Sequence, residues 1–228
     1  MSRVIVVRHG QANAASEDYD RLSPRGHEQS ERLGRWLARA GVRPLRVVCG
    51  RMRRHRQTFD SIRAGAGDWP LPEPDVDAGL DEFDHGAVLR CFVELFPEHP
   101  TAATGGRLWQ SEPAEIVALL RAALGAWSRC ELDAGVPEAW QVFRARVREA
   151  AIRLTGHEGD VLVVTSGGVM AQLAQVALDA PDARAVDLNL GIRNSAVCEF
   201  LPGADGLRLL SWNALPHLAD APELWTHY

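Results

Sequence analysis

Three short apolar runs are the feature that most constrains the fold of this chain. They lie at 4–7, 45–49 and 161–165 and are rich in valine. Continuous β-branched runs of this length are typical of strands covered on both faces, as in a parallel sheet. Helical patterns separate the runs, and such alternation predicts a layered α/β fold. We therefore expect a three-layer sandwich with a mostly parallel central sheet flanked by helices.

The remaining elements are predicted from caps, helical spacing and turn residues. Ser23-Pro24 offers an N-cap and a proline at the first helical position, and Gly41 closes that helix. The other expected elements are helices at about 53–62, 114–127, 140–154 and after Gly168, a loop at 65–74, and a terminal hairpin of 196–201 with 207–212.

The stretch 83–139 differs from the rest because helical patterns alternate with loops and no strand-like run occurs. We predict a single domain over 1–228 that carries a helical cap insertion at about 83–139. The cap is expected to shape a pocket, with Arg90, Arg107 and Trp109 as candidates for its lining. Tyr19-Asp20 is a candidate for a substrate loop.

Composition narrows the range of partners. The net charge of -5 gives no basis for nucleic-acid binding, and all 25 basic residues are arginine. The four cysteines lie far apart, without metal-ligand spacing, and are expected to be free thiols in a reducing compartment. The N-terminal apolar run is too short for a signal peptide or a membrane span. We expect a cytoplasmic protein with no nucleic-acid or membrane partner, no metal and no cofactor; a homodimer is compatible with this composition.

Polar clusters follow directly after each of the three apolar runs. They lie at 8–11, 50–58 and 165–168. Open α/β sheets place their ligands at the carboxyl ends of the strands. The sequence therefore predicts one site in which these three clusters meet.

The clusters carry a family resemblance. Val7-Arg8-His9-Gly10 resembles the RHG signature of the histidine phosphatase superfamily, which includes the cofactor-dependent phosphoglycerate mutases. Further matches follow in the family's order: 22–30 resembles L-[ST]-x-x-G-x-x-Q-[AS], 54–58 resembles R-A-x-Q-T, 80–86 resembles the segment that supplies the proton donor, and Asn194-Ser195 resembles the entry to the late strand. The ordered set spans nearly the whole chain.

The resemblance implies roles at a phosphate site. His9 would be the nucleophile that attacks phosphorus, and Arg8 and Arg54 would hold the phosphate in their planar forks. Arg51 and Arg53 crowd against Arg54, and only the register with Gln57-Thr58 favours Arg54. Asn13, in the loop that continues the signature, is a further candidate phosphate contact.

The sequence offers two candidates for the general acid. Glu82 aligns with the proton donor of the family. Asp84, two residues further on, is an alternative acid that would serve equally well by chemistry, unless it caps the next helix. His85 is a further local donor with no assigned role.

One position departs from the family pattern. The late strand usually ends in S-H-G-G, whereas this chain has Thr165-Ser166-Gly167-Gly168. Ser166 and Gly167 can still donate hydrogen bonds to a phosphate, but serine supplies no positive charge. His55 or His85 could complete the site instead. If Ser166 occupies the place of the missing histidine, Ser166→His is expected to raise activity.

These observations favour a metal-independent phosphatase that hydrolyses a small phosphate monoester through a phosphohistidine on His9. The partner would be that substrate or inorganic phosphate. The alternatives are a catalytically weak or inactive phospho-ligand- or protein-binding member of the same fold, and a phosphoglycerate-mutase-type phosphotransferase. An unrelated α/β domain with an accidental RHG would instead place Arg8, His9 and Arg54 far apart.

Overall fold

The structure, a computed structural model, describes residues 2–13, 20–106, 110–204 and 206–227. Within these ranges the strands form a six-stranded sheet in the order β3-β2-β4-β1-β5-β6. The strands are β1 Val4–Arg8, β2 Arg46–Cys49, β3 Asp75–Val76, β4 Val161–Thr165, β5 Val197–Gly203 and β6 Gly206–Ala214.

Strand direction brings the predicted polar clusters to one edge. β1 runs parallel to β4, with Arg8 opposite Thr165, and β4 runs parallel to β2. Because these strands point the same way, their carboxyl ends meet at the same edge of the sheet. β5 is antiparallel to both of its neighbours, β1 and β6. The predicted α/β sandwich with a mostly parallel sheet is confirmed.

The helices follow the predicted pattern closely. α1 begins at Pro24, and the Ser23 hydroxyl caps it by accepting a hydrogen bond from the Gly26 amide at 3.1 Å. The helices are α1 Pro24–Arg39, α2 Arg53–Ala66, α3 His85–Leu95, α4 Ala102–Gly105, α5 Pro113–Ser128, α6 Trp140–Arg153, α7 Gly167–Ala177 and α8 Asp182–Gly191. In the described part of the chain, no helix combines the length and apolar character needed to cross a bilayer.

Three elements differ from the expectation. Gly65 and Ala66 belong to the last turn of α2, where we expected a loop. Gly65 is needed there because α2 crosses α1 so closely that a Cβ would overlap the carbonyl of Glu31. β3 has only two residues, both exposed, so no apolar run indicates it. α8 was also not predicted, because its apolar residues are interrupted by charged and amide side chains.

The core is divided between the two faces of the sheet. In β1, Val4 and Val6 pack with residues of α3, α5, α6 and α7, whereas Ile5 and Val7 pack with residues of α1 and α2. This alternation along one strand is what a sheet covered on both faces requires. The α1–α2 layer and the larger helical layer therefore hold the sheet between them.

The stretch predicted as a cap contributes to the larger of these layers. Phe83 and Trp127 lie with ring centroids 4.6 Å apart, and Phe143 of α6 is 5.5 Å from Trp127. Offset and edge-to-face aromatic contacts of this kind add stability beyond their buried area. α5 is thereby joined to the same core as the sheet. The division into one domain with a cap insertion stays a prediction.

Candidate active site

The three polar clusters converge at the carboxyl ends of β1, β2 and β4. His9 follows β1, and its amide donates to the Thr165 carbonyl of β4 at 2.9 Å. A pocket of about 100 Å³ opens at this edge. Its lining consists of Arg8, His9, Arg54, Glu82, Phe83, His85, Leu120, Leu124, Asn189 and Leu190. The structure thus brings together Arg8, His9 and Arg54, which an accidental RHG would have left apart.

Two glycines of the recognised motifs set the position of His9. A Cβ on Gly10 would overlap the backbone of Gly26 in the first turn of α1, and a Cβ on Gly26 would overlap the carbonyl of Gln11. The Gly10 amide also donates to the Thr58 hydroxyl at 3.1 Å. Because only glycine permits this approach, the loop after His9 is held against both α1 and α2.

His9 is arranged as a neutral imidazole with one available nitrogen. Its Nδ1 lies 2.7 Å from the Gly10 carbonyl, so Nδ1 carries the proton and donates, which leaves the lone pair on Nε2. Burial holds the pKa of His9 well below its ordinary value, and the positive charges of Arg54 and Arg8 lower it further. A neutral ring of this kind can attack an electrophile at physiological pH.

Two guanidinium groups face the same pocket from different elements. Arg8 ends β1 and donates to the Ile192 carbonyl. Arg54, in the first turn of α2, is only 3% exposed and pairs with Asp20 at 3.2 Å. Two positive charges beside a buried imidazole form a site suited to the oxygens of a phosphate.

The structure distinguishes Arg54 from its neighbours. Arg51 is 67% exposed and pairs with Asp81 at 2.7 Å, and the side chain of Arg53 is also exposed. Asp20, which we had placed in a substrate loop, accepts from the amide of Arg53 at 2.8 Å as well as from Arg54. Asp20 therefore orients the pocket arginine, a role that the sequence pattern did not indicate.

The two candidate acids lie in different environments. Glu82 lines the pocket, and its Oε2 accepts from the Gly168 amide at 2.9 Å. Burial raises the pKa of Glu82 above its ordinary value, against the lowering effect of the Gly168 amide, Arg54 and Arg8. Asp84 is exposed and caps α3 by accepting from the Ala87 amide at 2.8 Å. Asp84 is not among the residues that line the pocket.

The other candidate residues are placed as follows. Gly167 begins α7, and a Cβ there would lie 3.5 Å from Arg8 Nε. Ser166 is fully buried and is not among the residues that line the pocket. Asn13 is partly exposed and absent from the lining; its amide donates to the Arg21 carbonyl at 2.7 Å. Arg90 lines a separate groove with Gly86 and Val93 rather than this pocket. Tyr19, Arg107 and Trp109 lie outside the described residues.

Part of the lining was missed from the sequence. Leu120 and Leu124 come from α5, and Asn189 and Leu190 come from α8. Apolar residues at helical spacing predict a buried face but do not say which of them borders a ligand. His85, at the start of α3, also lines the pocket, and burial lowers its pKa, with a further effect from Arg54. In the four described ranges, no three His, Cys, Asp or Glu side chains are grouped as a metal site.

Solved structures share this fold. The alpha-ribazole phosphatase of Shigella flexneri aligns with a TM-score of 0.62 at 19% identity, over 93% of this chain and 96% of that chain. A mycobacterial glucosyl-3-phosphoglycerate phosphatase aligns with a TM-score of 0.62 at 22% identity, over 94% and 99% of the two chains. The phosphoglycerate mutase of Bacillus anthracis aligns with a TM-score of 0.64 at 19% identity, over 96% and 95%. The likeness at these identities establishes the fold alone.

Sequence comparison identifies the family. No curated protein sequence matches the chain. The sequence profile of the Histidine phosphatase superfamily (branch 1) matches residues 4–105 and 103–215. These two segments cover most of the 228 residues and include every element that contributes to the pocket. The chain therefore belongs to the histidine phosphatase superfamily, branch 1.

Proposed function

We propose that this protein is a phosphatase that hydrolyses a small phosphate monoester through a phosphohistidine on His9. The observation that carries the proposal is a buried, neutral imidazole that lines one pocket with two guanidinium groups and a carboxyl group of raised pKa. Phosphoryl transfer needs mainly positioning and charge stabilisation, both of which these four side chains provide. The phosphatases and the mutase with the same fold support this reaction class.

In the first step, His9 Nε2 attacks phosphorus and forms a P–N bond while the P–O bond to the leaving alcohol breaks. Protonated Glu82 gives its proton to the departing oxygen, so the alcohol leaves neutral. The Gly10 carbonyl accepts from Nδ1–H and stabilises the positive charge that develops on the ring. Arg8 and Arg54 balance the charge on the phosphoryl oxygens.

In the second step, water attacks phosphorus and the P–N bond breaks. The Glu82 carboxylate takes one proton from this water, and the oxygen of the water bonds to phosphorus to give inorganic phosphate. His9 returns to its neutral form and Glu82 to its protonated form. Atoms and charge balance without a metal ion or a cofactor, so the proposal requires neither.

The rest of the pocket indicates the character of the leaving group. Phe83, Leu120, Leu124 and Leu190 supply apolar surface, and Asn189 and His85 supply polar groups. An apolar lining with two polar groups favours a leaving alcohol that has an apolar body and hydrogen-bonding groups. We include this preference in the proposed function.

A second candidate function rests on Ser166. Where the family resemblance predicts a histidine, this chain has a neutral hydroxyl, and removal of one transition-state donor typically slows an enzyme by about 10²–10³-fold. The second candidate is therefore a catalytically weak or inactive member that binds phosphate esters. The phosphotransferase alternative requires an intermediate that is shielded from water, and no described feature favours it specifically.

The test is hydrolysis of an aryl phosphate in the presence of a chelator, combined with trapping of the phosphoenzyme. We expect release of inorganic phosphate and a protein-bound phosphate that is labile to acid and stable to base. Binding of inorganic phosphate by calorimetry without turnover, over a panel of aryl and alkyl esters, would instead support the binding protein. Turnover that stops when the chelator is added would contradict the metal-independent mechanism.

Replacement of Glu82 by glutamine should change the pH dependence. In the wild type, kcat/KM should fall on the acid side as His9 is protonated, at a pH below the ordinary histidine range, because its pKa is lowered. It should fall on the alkaline side as Glu82 loses its proton, at a pH above the ordinary glutamate range, because its pKa is raised. Glu82→Gln should lose the alkaline limb and lower kcat for alkyl esters by about 10²–10⁴-fold.

The leaving group provides the internal control for this variant. An aryl phosphate has a leaving group that needs little protonation, so Glu82→Gln should slow it far less than an alkyl ester. Asp84→Asn should keep both limbs and nearly all of the stability, because asparagine caps a helix about as well as aspartate does. An alkaline limb that disappears in Asp84→Asn and persists in Glu82→Gln would assign the acid to Asp84.

A further inference from the structure

Ser166 makes an unexpected hydrogen bond for a residue at the start of a helix. It occupies the N-cap position of α7, yet its hydroxyl caps no α7 amide. The hydroxyl lies instead 2.7 Å from Nε2 of His55, which is 111 residues away in sequence. Ser166 and His55 are both 0% exposed. The Ser166 hydroxyl forms a buried hydrogen bond with an imidazole in place of a helix-cap bond. This indicates that the hydrogen bond fixes the relative position of Ser166 and His55.

The surroundings of His55 define its charge and its orientation. The pKa of His55 is lowered to about 3, chiefly by burial and also by the charge of Arg54, against the raising effect of the Gly50 backbone. The ring is therefore neutral at physiological pH. A Cβ on Gly50 would overlap Nδ1 and Cε1 of this ring, so glycine is needed to admit it. Nε2 and the Ser166 hydroxyl share one hydrogen bond, whose direction depends on which ring nitrogen carries the proton.

The pair lies directly beside the nucleophile. The ring centroids of His9 and His55 are 5.9 Å apart. Ser166 follows Thr165, whose carbonyl accepts the amide of His9. His55 is fully buried and is not among the residues that line the pocket, so we expect it to act through the groups it contacts. One of those groups is the imidazole that must present Nε2 to phosphorus.

Both members of the pair differ from the family pattern that the sequence resembles. The R-A-x-Q-T segment has alanine where this chain has His55, and S-H-G-G has histidine where this chain has Ser166. The His55 ring and the Ser166 hydroxyl are in hydrogen-bond contact. If position 166 were also histidine, two imidazole rings would have to fit into the space that one ring and one hydroxyl occupy. Relative to that pattern, this chain has the imidazole on α2 and the small residue after β4.

We propose that His55 is a positioning residue that, fixed by Ser166, holds the His9 ring in line with the phosphoryl group and fills from α2 the space of the imidazole missing after β4. This inference rests on the proposed function, because it concerns the same nucleophile. A ring held at one nitrogen by Gly10 alone can still rotate, and His55 blocks that rotation by occupying the space beside it. Misplacement of a reacting atom by about 1 Å can cost on the order of 10²-fold in rate.

The experiment compares four proteins: wild type, His55→Ala, Ser166→His and the double variant. Each is assayed for kcat, KM and the phosphoenzyme burst with an aryl phosphate. We expect His55→Ala to lower kcat and the burst rate by about 10- to 100-fold with KM nearly unchanged, since the residue does not touch substrate. Ser166→His alone should lower kcat, contrary to the expectation from sequence, because the new ring overlaps His55. The double variant should exceed both single variants by about tenfold or more, because the imidazole has space again.

Two further variants keep the test decisive. Ser166→Ala preserves the imidazole and removes only its hydrogen bond, so it tests the pair if His55→Ala does not fold; a several-fold lower kcat is expected. His27→Ala removes another imidazole–serine contact, 2.9 Å long, between α1 and α2 and away from the pocket lining. Its kcat should equal that of the wild type.

The outcomes separate the two proposals. Suppose that the wild type forms the phosphoenzyme and that folded His55→Ala and Ser166→Ala both have the same kcat as the wild type. This result would overturn the positioning role of His55 and leave the proposed function standing. A double variant no better than His55→Ala would overturn the exchange of imidazole between the two positions. A wild type that forms no phosphoenzyme on His9 would remove the proposed function itself, and with it this inference.

Discussion

Substitution of His9 by alanine is expected to lower kcat for phosphomonoester hydrolysis by at least about 10⁴-fold, the scale seen when an enzyme loses its nucleophile. No other described lining residue can replace it: His85 is the other histidine in the pocket, and it lies at the start of α3 rather than at the end of β1. The measurement is the release of inorganic phosphate from an aryl phosphate. The trapped phosphoenzyme should disappear in the same variant.

The matched control is His157→Ala. His157 is exposed and precedes β4, whereas the pocket lies beyond the other end of that strand. Its replacement should leave kcat within about a factor of two of the wild type, as expected for a surface substitution. Retention of the phosphoenzyme in His9→Ala, or its loss in His157→Ala, would show that His9 is not the nucleophile.

Substitution of Arg54 by alanine is expected to lower kcat/KM by about 10³-fold or more, within the range known for arginines that stabilise phosphoryl transfer. Two effects combine in this variant. The phosphate loses a guanidinium fork, and Asp20 loses the partner with which it pairs at 3.2 Å. Arg54→Lys should recover only part of the loss, because an ammonium group cannot bind two oxygens in the same planar geometry. Inhibition by inorganic phosphate should weaken in parallel.

The pH profile gives this variant an independent readout. The positive charge of Arg54 contributes to the low pKa of His9. Removal of that charge should raise the pKa of His9, so the acid limb of the remaining activity should move to higher pH. Arg51→Ala is the control, because Arg51 is 67% exposed and pairs with Asp81 outside the pocket. An acid limb that moves in Arg51→Ala but stays in Arg54→Ala would contradict the assignment of the phosphate contact to Arg54 and favour Arg51.

The charged and titratable side chains of the site come from different elements of the fold. β1 delivers His9 and Arg8 as neighbours in sequence, and α2 delivers Arg54 from the adjacent strand–helix unit. Glu82 comes from the chain before α3, where it accepts from the α7 amide of Gly168. Burial lowers the pKa of His9 and raises the pKa of Glu82, so the pocket favours the uncharged form of both groups.

The sequence by itself determined the elements and most of the site. Apolar runs predicted β1, β2 and β4, because strands buried on both faces require them, and the Ser23-Pro24 cap predicted the start of α1. The ordered motifs indicated Arg8, His9, Arg54 and Glu82, which the structure brings to one pocket. These features depend on local patterning or on contiguous motifs, which a linear sequence shows directly.

Only the tertiary structure decided which of several equivalent side chains face the pocket. Arg51, Arg53 and Arg54 are chemically alike, and the orientation of α2 on the sheet buries the last of them. Asp84 is a carboxylate like Glu82, but helix capping engages it away from the pocket. The bond between His55 and Ser166 joins residues 111 positions apart, and no local pattern reports such a contact. Packing between distant segments sets these distances, which is why they could not be derived from spacing along the chain.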